Sequence, residues 1–145
     1  VNLEQELREL SDSLQQSRKD LEMVLRRELM AAYPDPKAVT ALQKAAIEKE
    51  VEGVATMRQL DAVNGMLDVL MTWFRDAHLL RSNGDRGLVY NLDCLSELEQ
   101  AARSPQLPSM DRVEKAVEEM QLALARSSPL PASLEALCLK LDMSG

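Results

Sequence analysis

The sequence predicts an all-α protein, a single bundle of five to six helices, and three observations carry that prediction. The 145 residues are 46% apolar but only 3% aromatic, with eight methionines, which suits a helical core of Leu, Met, Val and Ala. Apolar residues recur in steps of three and four, the spacing of one helix face. The six prolines fall in three close pairs, and because a helix interior tolerates proline poorly, these pairs separate the helical blocks.

The first block, which precedes Pro34, has a narrow stripe of apolar residues with a seven-residue repeat, which predicts an amphipathic helix. The repeat is interrupted at Ser17, so the block is either one helix or two helices joined there. The apolar stripe is also compatible with a coiled coil. The basic pairs Arg18-Lys19 and Arg26-Arg27 lie among glutamates, a mixture typical of a solvated helix face. The stripe consists of Leu3, Leu7, Leu10, Leu14, Leu21, Val24, Leu25 and Leu29.

The second block runs from about Lys37 to Arg81 without a proline and predicts the central helix. Its part from Met66 to Leu80 is apolar over most of its circumference and is expected at the centre of the core. Gly53 and Gly65 each cost about 1 kcal/mol relative to Ala in a helix, so they indicate a break or the close approach of another helix. One face carries Met57, Leu60, Val63, Leu67, Leu70 and Phe74, and an adjoining face carries Met66, Val69, Trp73 and Leu80.

The rest of the chain predicts a turn and three shorter helices. Residues 82 to 87, SNGDRG, supply Asn and Gly for a helix end and a turn, and the short apolar stretch 88 to 90 follows. Asn91 is the expected N-cap of the third helix, Ser109 that of the fourth, and Pro131 suits the first turn of the fifth. The buried faces are expected to be Leu92, Leu95, Leu98 and Ala102; then Met110, Val113, Val117, Met120 and Leu124; and then Leu130, Leu134, Leu137 and Leu141.

The sequence contains little that indicates catalysis. His78 is the only histidine and has no Glu-x-x-His partner, and residues 84 to 87, GDRG, lack the lysine of a phosphate loop. Cys94 and Cys138 lie far apart without metal-ligand spacing and are expected to be small core residues. We therefore predict a protein that is not an enzyme and that has no cofactor, metal site or small-molecule substrate.

Charge and hydropathy exclude two further classes of partner. The net charge of -7 disfavours direct binding to nucleic acid, because such proteins present clustered Lys and Arg to the phosphates. The sequence has neither an apolar run of about 18 residues nor a charged-then-apolar leader, so we predict no membrane association and a cytoplasmic location.

Arg75-Asp76 is the least expected feature, because two charges follow Trp73-Phe74 in the most apolar helix. Neighbours on a helix lie about 100° apart, so one of the two charges is expected near the core boundary, where burial is costly without a partner. Two interpretations follow. The pair is either a boundary salt bridge or helix-end contact, or it ties the long helix to the loop that follows.

Residues 73 to 102 resemble the C-terminal domain of the delta-prime subunit of the bacterial DNA polymerase III clamp loader, which is related to the gamma/tau subunits. The resemblance rests on five features in order: Phe74-Arg75-Asp76, Leu79-Leu80, Asn83-Gly84-Asp85, Leu88-Val89 and Asn91-Leu92-Asp93. Residues 132 to 141, which include Leu134-Glu135, are similar to the family's closing helix. Ser127-Ser128-Pro129 stands where the family usually has asparagines.

The resemblance implies that residues 1 to 145 are a single C-terminal oligomerisation domain, or collar domain, of a longer subunit, in agreement with a start at Val1 rather than at methionine. Such domains join five related subunits into a ring above the ATPase modules that load the sliding clamp during DNA replication. The implied partners are gamma/tau and delta, met through helical interfaces. The alternatives are a gamma/tau collar domain and a coiled-coil or helical-bundle adaptor. The motif residues are then structural: Trp73, Phe74, Arg75, Asp76, Asn91, Asp93, Leu134 and Glu135.

Overall fold

The computed structural model of the chain describes residues 3–142, with the side chains of residues 3, 4, 6 and 7 outside that description. Within this range the chain forms five α-helices and no strand, which confirms the predicted all-α bundle. Three short 3-10 turns lie at Pro36–Ala38, Arg86–Leu88 and Leu92–Cys94. The helices are α1 (Leu3–Met30), α2 (Ala41–Arg81), α3 (Leu95–Arg103), α4 (Met110–Ala125) and α5 (Leu130–Lys140).

Helix α1 is continuous through Ser17, so the first block is one helix and not two. Its buried line differs from the predicted stripe. Ser11 is buried, whereas Leu10 and Val24 are 37% and 47% exposed. Leu14, Leu21, Leu25 and Leu29 are half-buried, and the predicted stripe positions Leu3 and Leu7 lie outside the described side chains.

Helix α2 begins after a reciprocal cap at Thr40. The Gln43 N–H donates to Thr40 Oγ1 at 3.1 Å, and the Thr40 N–H donates to Gln43 Oε1 at 2.9 Å. The helix then runs without a break for 41 residues. The expectation for Gly53 and Gly65 was wrong, since neither breaks the helix and a Cβ at either position would have nothing within 4 Å. A long helix absorbs a cost of about 1 kcal/mol per glycine without breaking.

The second part of α2 buries one face rather than most of its circumference. Val63, Leu67, Phe74 and Ala77 are buried, but Trp73 is only half-buried and Val69 is mostly exposed. Met57, predicted on the inner face, is also mostly exposed. Apolar periodicity marks the faces that can be buried, and tertiary packing decides which of them is covered.

The described residues form two compact units. The first, here called the hairpin unit, is Arg8–Val63, and the second, the bundle unit, consists of the described residues of Val1–Leu7 and Asn64–Gly145. In the hairpin unit α1 and the first part of α2 run antiparallel, because Arg18 bonds to Thr56 and Arg26 bonds to Glu48. The organisation of the chain as a single domain stays a prediction.

The bundle unit has an apolar core to which α2, α3, α4 and α5 all contribute. Within it α2 bonds to α4 through Asn64 and Gln121, and α4 contacts α5 through Glu119 and Lys140. The inner stripe predicted for α5 is confirmed, since all four of its leucines are buried. The core consists of Leu67, Phe74, Ala77, Val89, Leu98, Ala101, Ala102, Leu107, Val113, Ala116, Val117, Met120, Leu130, Leu134, Leu137 and Leu141.

Two helices of the bundle unit end in the same left-handed turn. After α2, Asn83 takes a φ of 57° and the Gly84 N–H donates to the Leu79 carbonyl at 2.8 Å. After α4, Ser127 takes a φ of 63° and the Ser128 N–H donates to the Ala123 carbonyl at 2.9 Å. These bonds satisfy carbonyls that a helix end would otherwise leave without donors.

The starts of the three short helices agree only partly with the prediction. Ser109 caps α4 by accepting from the Arg112 N–H, and Pro131 lies in the first turn of α5, as predicted. The predicted start of α3 at Asn91 was wrong, because a 3-10 turn comes first and α3 begins at Leu95. Asn91 makes no capping bond, since its side chain binds Asp76 instead.

Candidate functional site

The most unusual site in the bundle unit is centred on the carboxylate of Asp76, which is 0% exposed. Its Oδ2 accepts from the Tyr90 N–H at 3.1 Å, from the Asn91 N–H at 2.9 Å and from Asn91 Nδ2 at 2.7 Å. Oδ1 shares the Tyr90 N–H at 3.2 Å. The buried charge is thus held by two backbone donors and one side-chain amide.

Arg75 lies beside this carboxylate but points to the surface. Its side chain is 47% exposed, and Nη1 stands 3.6 Å from Asp76 Oδ1. The guanidinium carbon lies 4.6 Å from the centroid of the Tyr90 ring, within the range of a cation–π contact. Asp76 therefore holds the backbone of Tyr90, while Arg75 covers its ring.

These contacts support the second interpretation of Arg75-Asp76, and the 3.6 Å ion pair between the two side chains agrees with the first. The carboxylate joins α2 to residues 14 and 15 positions further along the chain, so the pair ties the long helix to the loop that follows. A carboxylate taken out of water is costly unless hydrogen bonds replace its hydration, and here the Tyr90 and Asn91 donors supply them. We call this set of contacts the Asp76 link.

The two aromatic residues before Arg75 contact each other directly. The Trp73 and Phe74 ring centroids lie 5.1 Å apart at an interplanar angle of 84°, an edge-to-face pair. Phe74 is buried in the core, and Trp73 is half-buried. This pair anchors the turn of α2 that carries the Asp76 link.

The remaining residues predicted as motif lie elsewhere in the bundle unit. Asp93 is exposed, next to Cys94. Leu134 is buried on α5, and its neighbour Glu135 is exposed. Among the contacts described for residues 3–142, the structure brings together Arg75, Asp76 and Asn91, and none of the contacts of Asp76 involves Asp93 or α5.

The segment held by the Asp76 link displays three large apolar side chains. Leu88 is 59% exposed, Tyr90 71% and Leu92 60%, whereas Val89 between the first two is buried. We call Leu88, Tyr90 and Leu92 the loop patch. Exposed apolar residues that occur singly are ordinary, whereas here three lie within five residues of one segment.

Sequence reasoning missed the role of Tyr90 and a second long-range bond of α2. His78, half-buried on the helix flank, has its Nε2 2.7 Å from the Pro108 carbonyl just before α4. The short apolar stretch at residues 88 to 90, with Leu92 beyond it, was the available signal for the loop patch. No pattern in the sequence pairs His78 with Pro108, because that contact depends on how the helices pack.

In the hairpin unit, polar side chains that sequence reasoning placed on a solvated face join α1 to α2, beside an apolar core that includes Val51 and Ala55. Arg18 donates to Thr56 Oγ1 at 2.9 Å and to Gln59 Oε1 at 3.1 Å, so it joins α1 to α2. Arg26 donates to both oxygens of Glu48, at 2.7 and 3.0 Å. The solvated-face prediction was therefore wrong for Arg18, which is half-buried.

The hydrogen bond and charge of Arg26 lower the pKa of Glu48, and the bond to Glu48 likewise raises the pKa of Arg26. A surface depression of about 270 Å³ lies at this place and includes Glu22, Val51 and Glu52 in its lining. Arg18, Glu22, Arg26 and Glu48 are already engaged with one another, so the depression is explained by the polar contacts between α1 and α2.

The described part of the chain offers neither a metal site nor a membrane-spanning helix. Among the side chains that the structure describes, no cluster of three or more His, Cys, Asp or Glu could hold a metal ion. Within residues 3–142 no helix has the length and apolar character needed to cross a membrane. Cys94 and Cys138 are free thiols and are half-buried, not the core residues that were expected. Partial burial raises the pKa of both thiols.

Comparisons with known proteins do not identify a family, because no family model, curated protein or solved structure matches the chain. What the structure defines is an all-α protein in which the buried carboxylate of Asp76 fixes the loop after α2.

Proposed function

We propose that the chain is the collar domain of a delta-prime-like clamp-loader subunit. In this role it is a non-catalytic oligomerisation domain that joins gamma/tau and delta subunits into a five-membered ring. The ring supports ATP-dependent loading of the sliding clamp during DNA replication in the bacterial cytoplasm. The observation that supports this proposal best is the Asp76 link.

The link supports the proposal because it connects two of the five segments on which the resemblance rests. Arg75-Asp76 belongs to one and Asn91 to the other, and the two segments meet at one buried carboxylate. A helix tied to the loop that follows it gives a physical reason for Asp and Asn at this separation. A domain whose task is assembly gains from such a tie, because a preorganised surface loses less conformational entropy on binding.

The surface of the bundle unit also suits a protein partner. Six of its large apolar side chains are more than half exposed, more than isolated surface positions usually explain. Stable interfaces of subunits in permanent complexes are apolar at their centre, so residues of this kind become buried on assembly. The six are Val69, Leu88, Tyr90, Leu92, Leu122 and Leu139.

Association with clamp-loader subunits tests the proposal. The chain is mixed with the collar domains of the gamma/tau and delta subunits from the same genome, and the mass of the product is measured by size-exclusion chromatography with light scattering. A complex that contains the chain is expected. Absence of association with either subunit at micromolar concentration would contradict the proposal. ATP hydrolysis and DNA binding at physiological salt, measured on the chain alone, are expected to be absent.

A gamma/tau collar is the alternative within the same family. Gamma-type domains are expected to self-associate, whereas a delta-prime domain alone is expected to be monomeric, so the mass of the isolated chain separates the two.

A coiled-coil adaptor is the alternative of another class, and one observation favours it. Leu10, within the expected dimer seam from Leu3 to Leu21, is 37% exposed, and Val24 just beyond that seam is 47% exposed. If the chain dimerises through that seam, Leu10→Glu with Val24→Glu would make it monomeric and leave the helix content unchanged.

A further inference from the structure

We propose that Asn83-Gly84, in the turn that ends α2, is a site of spontaneous covalent modification, at which the asparagine loses ammonia and becomes aspartate or isoaspartate. The other Asn-Gly pair of the chain, Asn64-Gly65, is protected by the helix that contains it. This inference goes beyond the proposed function and does not depend on it, because it concerns the chemistry of the backbone itself.

The reaction needs only the chain and water. The backbone nitrogen of the glycine gives up its proton and attacks the side-chain carbonyl carbon of the asparagine. A new C–N bond closes a succinimide ring, and the amide nitrogen leaves with a proton as ammonia. Water then opens the ring at either of its carbonyl carbons, which gives aspartate or isoaspartate. Asparagine is a thermolabile residue, and a following glycine has no Cβ to hinder the attack.

The surroundings of Asn64-Gly65 oppose this reaction, although the Asn64 side chain is as openly exposed as that of Asn83. Gly65 lies well inside the unbroken helix α2, where its N–H donates in the regular helical pattern. Asn64 Oδ1 also accepts from Gln121 Nε2 at 3.3 Å, which ties the asparagine side chain to α4. Both the attacking nitrogen and the attacked amide are therefore held in place.

The Asn83-Gly84 pair lies at the end of the same helix, where fewer bonds hold the attacking nitrogen. The Gly84 N–H donates to the Leu79 carbonyl at 2.8 Å, and the Asn83 N–H donates to the Leu80 carbonyl at 3.0 Å. Helix ends fray, and local opening there costs less free energy than opening of a helix interior. Because the bond between Gly84 and Leu79 must break before the nitrogen can attack, opening of this turn sets the rate.

The backbone conformation of Asn83 also favours opening of the turn. Its φ of 57° lies in the left-handed region, where a residue with a Cβ is less stable than glycine. Gly84 does not take a positive φ, so the asparagine and not the glycine occupies the left-handed position of this helix end. The closed turn is therefore held less firmly than a glycine at position 83 would hold it.

Isoaspartate would alter the turn that leads to the Asp76 link. The main chain of isoaspartate passes through the side chain, so one extra carbon enters the backbone at position 83. The segment is anchored on both sides, by the bond of Gly84 to Leu79 and by the bond of the Tyr90 N–H to Asp76. An added backbone atom is expected to break the first of these bonds and to lower the stability of the bundle unit.

The rates at the two Asn-Gly pairs test the proposal. The whole chain is incubated folded, and in parallel unfolded in guanidinium chloride, in mildly alkaline buffer, and peptide mapping by mass spectrometry follows the conversion at each asparagine. Similar rates are expected in the unfolded chain. In the folded chain Asn83 is expected to react at least about tenfold faster than Asn64, which corresponds to a difference of about 1.4 kcal/mol in opening free energy.

Two results of this experiment would overturn the proposal. The first is a folded chain in which Asn64 reacts as fast as Asn83 or faster. The second is a folded chain in which Asn83 does not react while the unfolded chain does.

Asn83→Gly is the matched control for the effect on the turn, because glycine suits the left-handed conformation and carries no amide. Incubation is expected to lower the melting temperature of the wild type as isoaspartate accumulates and to leave that of Asn83→Gly unchanged. A methyltransferase specific for isoaspartate measures the modified fraction. Equal losses in both proteins, or no loss in a wild type rich in isoaspartate, would show that the modification does not disturb the turn.

Discussion

The Asp76 link of the bundle unit and the arginine contacts of the hairpin unit place charged side chains in opposite environments. In the bundle unit Asp76 is fully buried and is held mainly by backbone donors of a loop. In the hairpin unit Arg18 and Arg26 reach across from α1 to side chains of α2 and remain partly in water. Water screens the arginine contacts of the hairpin unit but not the buried carboxylate of Asp76. The stability of the fold is therefore expected to depend more on the environment of a charge than on the number of its hydrogen bonds.

The largest effect is expected when the Asp76 link is removed. Asp76→Ala leaves the Tyr90 and Asn91 donors without an acceptor, so the free energy of unfolding is expected to fall by about 3 kcal/mol. Chemical denaturation followed by circular dichroism measures the change. The matched control is Asp85→Ala, which removes an exposed carboxylate that accepts one bond, from the Gly87 N–H, and is expected to cost about 1 kcal/mol or less. Equal losses in the two variants would refute the special role of the buried group.

The next largest effects are expected from two glycine substitutions that change the stability in opposite directions. At Gly84 a Cβ would lie 2.4 Å from Leu79 Cδ1 and 2.9 Å from the Leu79 carbonyl oxygen, so Gly84→Ala is expected to destabilise the bundle unit by about 2 kcal/mol. At Gly53 nothing lies within 4 Å, so Gly53→Ala is expected to stabilise α2 by up to about 1 kcal/mol. Melting temperatures of the two variants should therefore move in opposite directions. If both melting temperatures rise or both fall, the surroundings of Gly84 or of Gly53 differ from those described.

A smaller loss is expected from the polar contacts of the hairpin unit. Arg18→Met keeps most of the aliphatic length but removes the bonds to Thr56 and Gln59, which is expected to cost about 1 kcal/mol. The control is Lys19→Met, on the exposed neighbouring position, which is expected to change the stability little. A hairpin unit that tolerates Arg18→Met as well as it tolerates Lys19→Met would show that the apolar contacts between α1 and α2 suffice.

The smallest effect is expected from pH. Because Arg26 lowers the pKa of Glu48, the folded state binds this proton less readily than the unfolded state does. The resulting stabilisation is present above the ordinary carboxyl pKa of 4.5 and is lost as the pH falls through the lower folded value. Melting temperature measured against pH should fall less steeply in this acid range for Glu48→Gln than for the wild type. An identical slope would show that the exposed pair contributes nothing measurable.

Much of the helix layout was readable from the sequence because it depends on local chemistry. Proline pairs separate the blocks, Ser109 caps α4, and the leucine spacing of α5 marks its buried face. The sequence also showed that Arg75-Asp76 is unusual, because a charge buried in an apolar helix needs a hydrogen-bonding or charged partner. These features involve residues within a few positions of one another.

The predictions that were wrong or missing concern contacts between segments that are far apart in the sequence. The sequence does not show that Arg18 reaches Thr56, or that the second part of α2 leaves Val69 exposed, because both depend on how two helices are aligned. Ser127 adopts a left-handed conformation that glycine or asparagine usually fills, so the turn after α4 carried no residue-type signal. The loop patch was visible only as a short apolar stretch until the Asp76 link fixed its backbone.

The most direct test of the central claim is the composition of a reconstituted ring. Native mass spectrometry of the chain mixed with gamma-type and delta collar domains is predicted to show a five-membered complex that contains one copy of this chain. A five-membered complex that forms without the chain, or a mixture in which the chain stays monomeric while the other domains assemble, would contradict the account.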